Sequence, residues 1–128
     1  MIIYRIQLPN GQGPHRNDNN YQLEEVMFEY ADYEYTTERS RRTHPTPVEA
    51  FSYGDYEKFR KSEDYIFGFR SMDEYKNWTI NDAVRENLKE NGFKLQMFVI
   101  DYDNLLLGRS QIAFKLSDTV KLETLECA

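Results

Sequence analysis

The sequence YIFGFRSMDE (residues 65–74) passes from a strand pattern to a helix start within a few residues. Residues 65–69 are apolar and rich in aromatic side chains, which favours a β-strand. Ser71 then has the position of a helix N-cap, because its hydroxyl can accept from the N–H of Glu74 while the Glu74 carboxylate reaches back. This capping-box pattern predicts a helix near residues 72–77.

The residues that follow predict a second helix and a returning strand. A second start at Thr79 or Asn81, with apolar side chains three and four residues apart, predicts a helix near 81–91 that ends at Asn91-Gly92. The segment 93–101 alternates as a strand, and its far end is apolar on both faces and therefore expected to be covered. A hairpin leads to a strand at 110–116, and residues 117–128 form either one more strand or a docked tail.

The first half of the chain is more polar. Residues 2–8 alternate as a strand, and a polar loop follows in which Gly11 and Gly13 lack the further glycine or lysine of a phosphate-binding loop. Apolar spacing predicts a helix near residues 21–31. Residues 36–63 carry two prolines, Pro45 and Pro47, and little periodicity, so this part is expected to be irregular.

These elements predict an α+β fold in a single domain over residues 1–128. A central antiparallel or mixed sheet of strands 2–8, 65–69, 93–101 and 110–116 carries two to three helices packed on it. A chain of 128 residues can bury one core without a metal or disulfide staple. The alternation places four core residues on the last two of those strands, namely Met97, Val99, Ile112 and Phe114.

The helix predicted near residues 21–31 and its C-terminal flank carry an acidic, tyrosine-rich face. Such a face can complement a basic groove on another protein, since charge complementarity steers association. The alternative is a solvated face that pairs with the basic cluster Arg39, Arg41 and Arg42 of the same chain. The residues predicted to bind a partner are Glu24, Glu25, Glu29, Tyr30, Asp32, Tyr33, Glu34 and Tyr35.

The net charge of −6 and the pI near 4.9 argue against direct nucleic-acid binding and favour a basic protein partner. Cys127 is the only cysteine, which excludes an internal disulfide and a cysteine-rich metal site, and two histidines do not make a histidine-rich one. No apolar window is long enough to span a membrane and the N-terminus lacks a signal-peptide layout. We therefore expect no metal, no membrane and a location in the cytoplasm of a bacterial host cell.

One arrangement resembles ADP-ribosyltransferases of the arginine-serine-glutamate class. It consists of Arg5 on the first strand, Ser71 at the end of a central strand and the late strand through Gln111. The resemblance implies NAD as cofactor, with Arg5 and Ser71 holding it and Gln111 at the place of the family's glutamate. A neutral amide cannot supply that charge, so Asp101 or Asp103 would have to replace it. The structural alternatives are an edge-strand charge for Arg5 and a helix cap for Ser71.

In general character, the chain resembles small bacteriophage accessory proteins, including anti-CRISPR and other anti-defence inhibitors. Its small size, its acidic and tyrosine-rich composition and its lack of a cysteine framework carry this resemblance. The leading hypothesis is a non-catalytic inhibitor that occupies a basic surface on a host protein, such as a nucleic-acid-binding defence protein. The alternative hypothesis is the NAD-dependent transferase.

Overall fold

The computed structural model describes residues 1–11, 13, 51–62 and 64–128. Within these ranges the chain forms six strands and three α-helices, with short 3₁₀ turns at Tyr102–Asn104 and Leu116–Asp118. In chain order the elements are β1 (Ile2–Gln7), α1 (Tyr53–Lys61), β2 (Tyr65–Gly68), α2 (Met72–Thr79), α3 (Asp82–Glu90), β3 (Lys94–Ile100), β4 (Leu106–Leu107), β5 (Ile112–Lys115) and β6 (Thr119–Glu126).

The strands form two antiparallel sheets, and the α+β class is confirmed. The first sheet has the order β1-β3-β6 and the second the order β2-β5-β4. The sequence predicted one central sheet, whereas these strands divide into two because β2 pairs with β5 and meets β1 at one bridge alone. Residues 117–128 form β6, the strand that was one of the two alternatives for this segment.

The two sheets are joined where β1 passes the end of β2. Tyr4 and Phe69 exchange backbone hydrogen bonds of 2.9 and 2.7 Å, and the Arg5 guanidinium donates to the carbonyl of Phe67 at 2.7 Å. Gly68 allows this approach, since a Cβ there would overlap with the Tyr4 carbonyl oxygen and would lie 2.9 Å from Cε1 of Phe114. The junction therefore depends on a glycine at position 68.

The first sheet is covered on both faces at different ends. Helices α2 and α3 pack on one face, where Ile6 and Leu95 join a core with Trp78 and Leu88. The second sheet packs on the other face, where the buried residues are Ile3, Phe98, Ile100, Leu105, Ile112 and Phe114. The far end of the 93–101 strand was expected to be covered; it is covered on the face of Phe98 and Ile100 but not on the face of Val99.

Two of the four predicted core positions differ from the prediction. Ile112 and Phe114 are fully buried, but Val99 is 39% exposed and Met97 is half-buried. Both follow Leu95 along the helix-facing side of β3, and the core formed with α2 and α3 takes Phe93 and Leu95 but neither Met97 nor Val99. The alternation was right, but the helices cover only part of the sheet face.

The helix ends predicted from the sequence are found in the structure. The Ser71 hydroxyl accepts from the Glu74 N–H at 3.1 Å, while the Glu74 carboxylate accepts from the N–H of Arg70. Asn81 caps α3 by accepting from the Val84 N–H at 2.9 Å, which resolves the choice between Thr79 and Asn81. Gly92 has φ 87° and closes α3, with Phe93 N–H donating to the Leu88 carbonyl as in a Schellman motif.

The middle of the chain contains a helix that the sequence did not predict. Helix α1 begins after the Ser52 cap and buries a single side chain, Phe59, which packs edge-on against Phe67 at 5.0 Å between ring centroids. One buried residue in nine gives too weak a period to be recognised. The helix predicted near 21–31 and most of the segment 36–63 lie outside the described residues.

Candidate functional site: an exposed apolar end of the first sheet

Arg5 has a structural position at the junction of the two sheets. Its side chain is fully buried, and its guanidinium donates to the Phe67 carbonyl at 2.7 Å and to the Gly11 carbonyl at 3.5 Å. Burial lowers the pKa of Arg5 to about 10, so the group stays protonated at neutral pH. A phosphate could reach this cation only if the surrounding chain moved.

Ser71 and Gln111 lie near the same junction. The Ser71 hydroxyl caps α2, and the backbone carbonyl of Gln111 accepts from Gly108 at 2.9 Å to close the hairpin between β4 and β5. Pairing of Gly68 with Ile112 and of Phe69 with Tyr4 brings the three predicted positions to one region of the chain. Each of them has a role in the fold, and Gln111 is buried.

The predicted acidic surface falls on residues for which no placement is described. Glu24, Glu25, Glu29 and Asp32, together with the tyrosines between them, all lie in the range 14–50. Their role in binding stays a prediction. Asp101 and Asp103, suggested as replacements for the missing glutamate, are exposed around the 3₁₀ turn that follows β3.

A different surface stands out among the described residues. Ile2 pairs with Val99, and Val99 pairs with Val120, so the three side chains form one row across β1, β3 and β6. They are 43%, 39% and 69% exposed. We call the following exposed residues at this end of the strands the apolar end: Met1, Ile2, Val99, Tyr102, Leu116, Val120 and Leu122.

Most of the exposed large hydrophobic residues of the described ranges lie in one part of the fold. Among the large hydrophobic side chains exposed in the described ranges, Tyr53 alone belongs to a different part of the fold, at the start of α1. Exposed apolar side chains scattered singly need no explanation, but a contiguous group commonly marks an interaction site. The position of this group follows from the helices ending short of Val99.

The surroundings of the apolar end are acidic. Asp101 and Asp103 flank Tyr102, Asp118 precedes Val120 by two residues, and Glu123 follows Leu122. Lys121 lies opposite Phe98 and belongs to the other face of the sheet. Glu123 pairs with Met97 and therefore lies on the side that carries Val99 and Val120, while the Met1 ammonium, which donates to the Ile100 carbonyl, adds one positive charge at the same end.

The edge strand β6 limits what can dock here. It is an edge of the first sheet, and its pairing with β3 shifts register between Met97 and Phe98, which leaves Leu122 without an opposite residue. Bulges and charged side chains on an edge strand discourage the addition of another strand. The surface therefore favours contact through side chains of the sheet face over backbone pairing at the edge.

Sequence reasoning could not find this surface directly. The same alternation that marks Val99 as a core residue is produced by an apolar sheet face that stays uncovered. Only the length and placement of α2 and α3 distinguish the two cases. The one available signal was the sequence of the adjacent strand β6. Its apolar residues, among them Val120 and Leu122, do not form a strong apolar face that would pack into a core.

Within the described part of the chain, no group of His, Cys, Asp or Glu is arranged to hold a metal ion. The helices described there are all too short or too polar to cross a lipid bilayer.

Comparison with known proteins adds a family. Searches of curated proteins and of solved structures found no match. The family model described as Bacteriophage T4 Y00F protein matches residues 1–128. The chain therefore belongs to the Bacteriophage T4 Y00F protein family and is a phage protein.

Proposed function

We propose that this phage protein is a non-catalytic inhibitor that binds a host protein by occupying a basic surface. The observation that carries the proposal is the row of Ile2, Val99 and Val120, exposed across three strands beside acidic residues. A host defence protein that binds nucleic acid has the matching chemistry, because its working surface is basic. The expected place of action is the cytoplasm of the bacterial host.

Apolar contact would supply most of the affinity. Removing apolar area from water contributes about 25 cal/mol per Å², and the half-exposed side chains of the apolar end present such area in one place. Interfaces typically combine an apolar centre with a polar rim, and the exposed Asp101 and Asp118 each lie two residues along the chain from Val99 and Val120. The apolar end thus has the composition of an interface centre.

Charge would select the partner and speed the encounter. The chain carries a net charge of −6, and the carboxylates of Asp101, Asp103, Asp118 and Glu123 lie around the apolar end. Complementary charge raises association rates and disfavours acidic partners, and salt weakens both effects. A basic partner is therefore favoured over a neutral one. The acidic residues predicted between positions 24 and 34 would add to the same field.

The transferase hypothesis receives less support. It requires NAD phosphate at Arg5, but that guanidinium is buried and donates to the Phe67 carbonyl. Incubation with labelled NAD and bacterial lysate, beside an Arg5→Ala variant, tests it. Label transfer that is lost in the variant would favour the enzyme over the inhibitor.

The binding proposal is tested by affinity capture from bacterial lysate with three proteins. These are the wild type, Val120→Lys, and the matched control Tyr53→Lys, which adds the same charge at a side chain that is 80% exposed on α1. We expect wild type and control to capture the same basic protein and Val120→Lys to lose it. Capture of that protein by all three to an equal extent would contradict the proposal.

A further inference from the structure

A second candidate site lies on the opposite face of the first sheet and runs from Gln7 and Lys94 to Lys121, whose neighbours in the chain belong to the apolar end. It is an open cavity of about 250 Å³ formed by Gln7 and the following Leu8 and Pro9 on one side and by β3 and β6 on the other. Pockets for drug-sized ligands measure roughly 300–1,000 Å³, so an occupant here has to be small.

The side chains that line the cavity share one face of the sheet. Gln7 pairs with Lys94, Gln96 pairs with Thr124, and Lys121 pairs with Phe98, all on the face away from α2 and α3. Lys94 and Lys121 therefore stand on either side of the row of Gln96 and Thr124. The cavity wall contains two cations and none of its lining residues is acidic.

Of the two lysines, Lys94 forms an ion pair within the described part of the protein and Lys121 does not. The Lys94 ammonium lies 2.7 Å from Oε1 of Glu126, which is beside the cavity at the end of β6. Lys121 is exposed and makes no ion pair with any residue that the structure describes. A ligand anion would therefore meet one available ammonium and a second one that it shares with Glu126.

The floor of the cavity is fixed by its own hydrogen bonds. Gln96 is buried, and its amide nitrogen donates to the carbonyls of Met97 and Glu123 at 2.8 and 2.7 Å. The Thr124 hydroxyl donates to the Gln96 side-chain oxygen at 2.7 Å. These bonds hold the polar floor between the two lysines in one arrangement, so less entropy is lost when a ligand binds.

We propose that this cavity binds a small phosphate monoester. The doubly charged phosphate would lie between the ammonium groups of Lys94 and Lys121, since charge-assisted hydrogen bonds to phosphate are among the stronger polar contacts. The organic group of the ester would contact Leu8 and Pro9, the apolar part of the wall. This site is separate from the apolar end and does not depend on the proposed inhibition.

The test is a titration of ¹⁵N-labelled protein with phenyl phosphate, followed by amide chemical shifts, with inorganic phosphate and sodium chloride at equal ionic strength as comparisons. We expect saturable shifts at Lys94, Gln96 and Thr124, with tighter binding of phenyl phosphate than of inorganic phosphate. Lys121→Gln should weaken binding roughly tenfold, the effect of losing one charge-assisted contact. Lys58→Gln, which removes the same charge from exposed helix α1, should not change it.

The proposal fails if phenyl phosphate gives no saturable shifts around the cavity. It also fails if Lys121→Gln and Lys58→Gln weaken binding equally, since that would indicate general charge attraction. Lys121 is exposed, so its substitution leaves the fold intact, and unchanged amide spectra away from the cavity confirm this for the variant.

Discussion

Replacing Gly68 with alanine should separate the two sheets at their junction. The added methyl group would overlap with the Tyr4 carbonyl oxygen and approach Cε1 of Phe114 to 2.9 Å. Both neighbours are held, because Tyr4 is bridged to Phe69 and Phe114 is fully buried. Neither can move away without disturbing the packing between the sheets.

The expected cost follows from these contacts. Overpacking in a core costs about 1–3 kcal/mol. Displacement of β1 from Phe69 also weakens two backbone hydrogen bonds, each contributing about 0.5–1.5 kcal/mol. We therefore expect Gly68→Ala to lower the free energy of unfolding by about 2–6 kcal/mol.

Urea unfolding followed by far-UV circular dichroism and by the fluorescence of Trp78 measures this change. Gly54→Ala is the matched control, because a Cβ at Gly54 has nothing within 4 Å and alanine is favoured in a helix. The control should be neutral or slightly stabilising. A loss below about 0.5 kcal/mol in Gly68→Ala, the range of ordinary surface substitutions, would refute the account of the junction.

Three further predictions concern caps, pH and charge. Asn81→Ala removes the side chain that accepts from Val84 N–H and should lower the free energy of unfolding by about 1 kcal/mol in the same assay. Burial raises the pKa of the Cys127 thiol from 9.0 to about 11, so the unfolded chain ionises first and stability should fall by about 1 kcal/mol between pH 9 and 10. Urea midpoints of a Cys127→Ala variant should show little of that decline, and an equal decline would exclude the thiol as its cause. The third change reverses three carboxylates of the predicted acidic surface to Lys, at Glu24, Glu25 and Glu29. Measured by surface plasmon resonance, association with the partner should become slower and less sensitive to salt. An unchanged association rate would place the interface elsewhere.

Local signals in the sequence predicted the second half of the fold well. The Ser71 cap, the Asn91-Gly92 helix end and the alternation of 93–100 each act within a few residues, and each is found in the structure. The division into two sheets was not predicted, because it depends on the close approach of Tyr4 to Phe69 across Gly68. Such long-range contacts leave no periodic trace in the sequence.

The candidate surface could be predicted even less. Val99 has the side chain and the phase of a core residue, and only the extent of α2 and α3 leaves it exposed. Arg5 differs from its prediction in the opposite direction. As a charged residue it was expected at an exposed strand edge, but it is fully buried at the junction of the sheets. In both cases tertiary packing determines the environment of the side chain.

Hydrogen–deuterium exchange of the complex with the captured partner tests the central claim most directly. Strand β6 is an edge of the first sheet, so backbone N–H groups on its outer side exchange readily in the free protein. If the apolar end binds the partner, residues 1–3 and 116–123 should gain protection in the complex while α1 keeps its free exchange rate. Protection confined to other segments, with residues 116–123 unchanged, would contradict the claim that this phage protein acts through the apolar end.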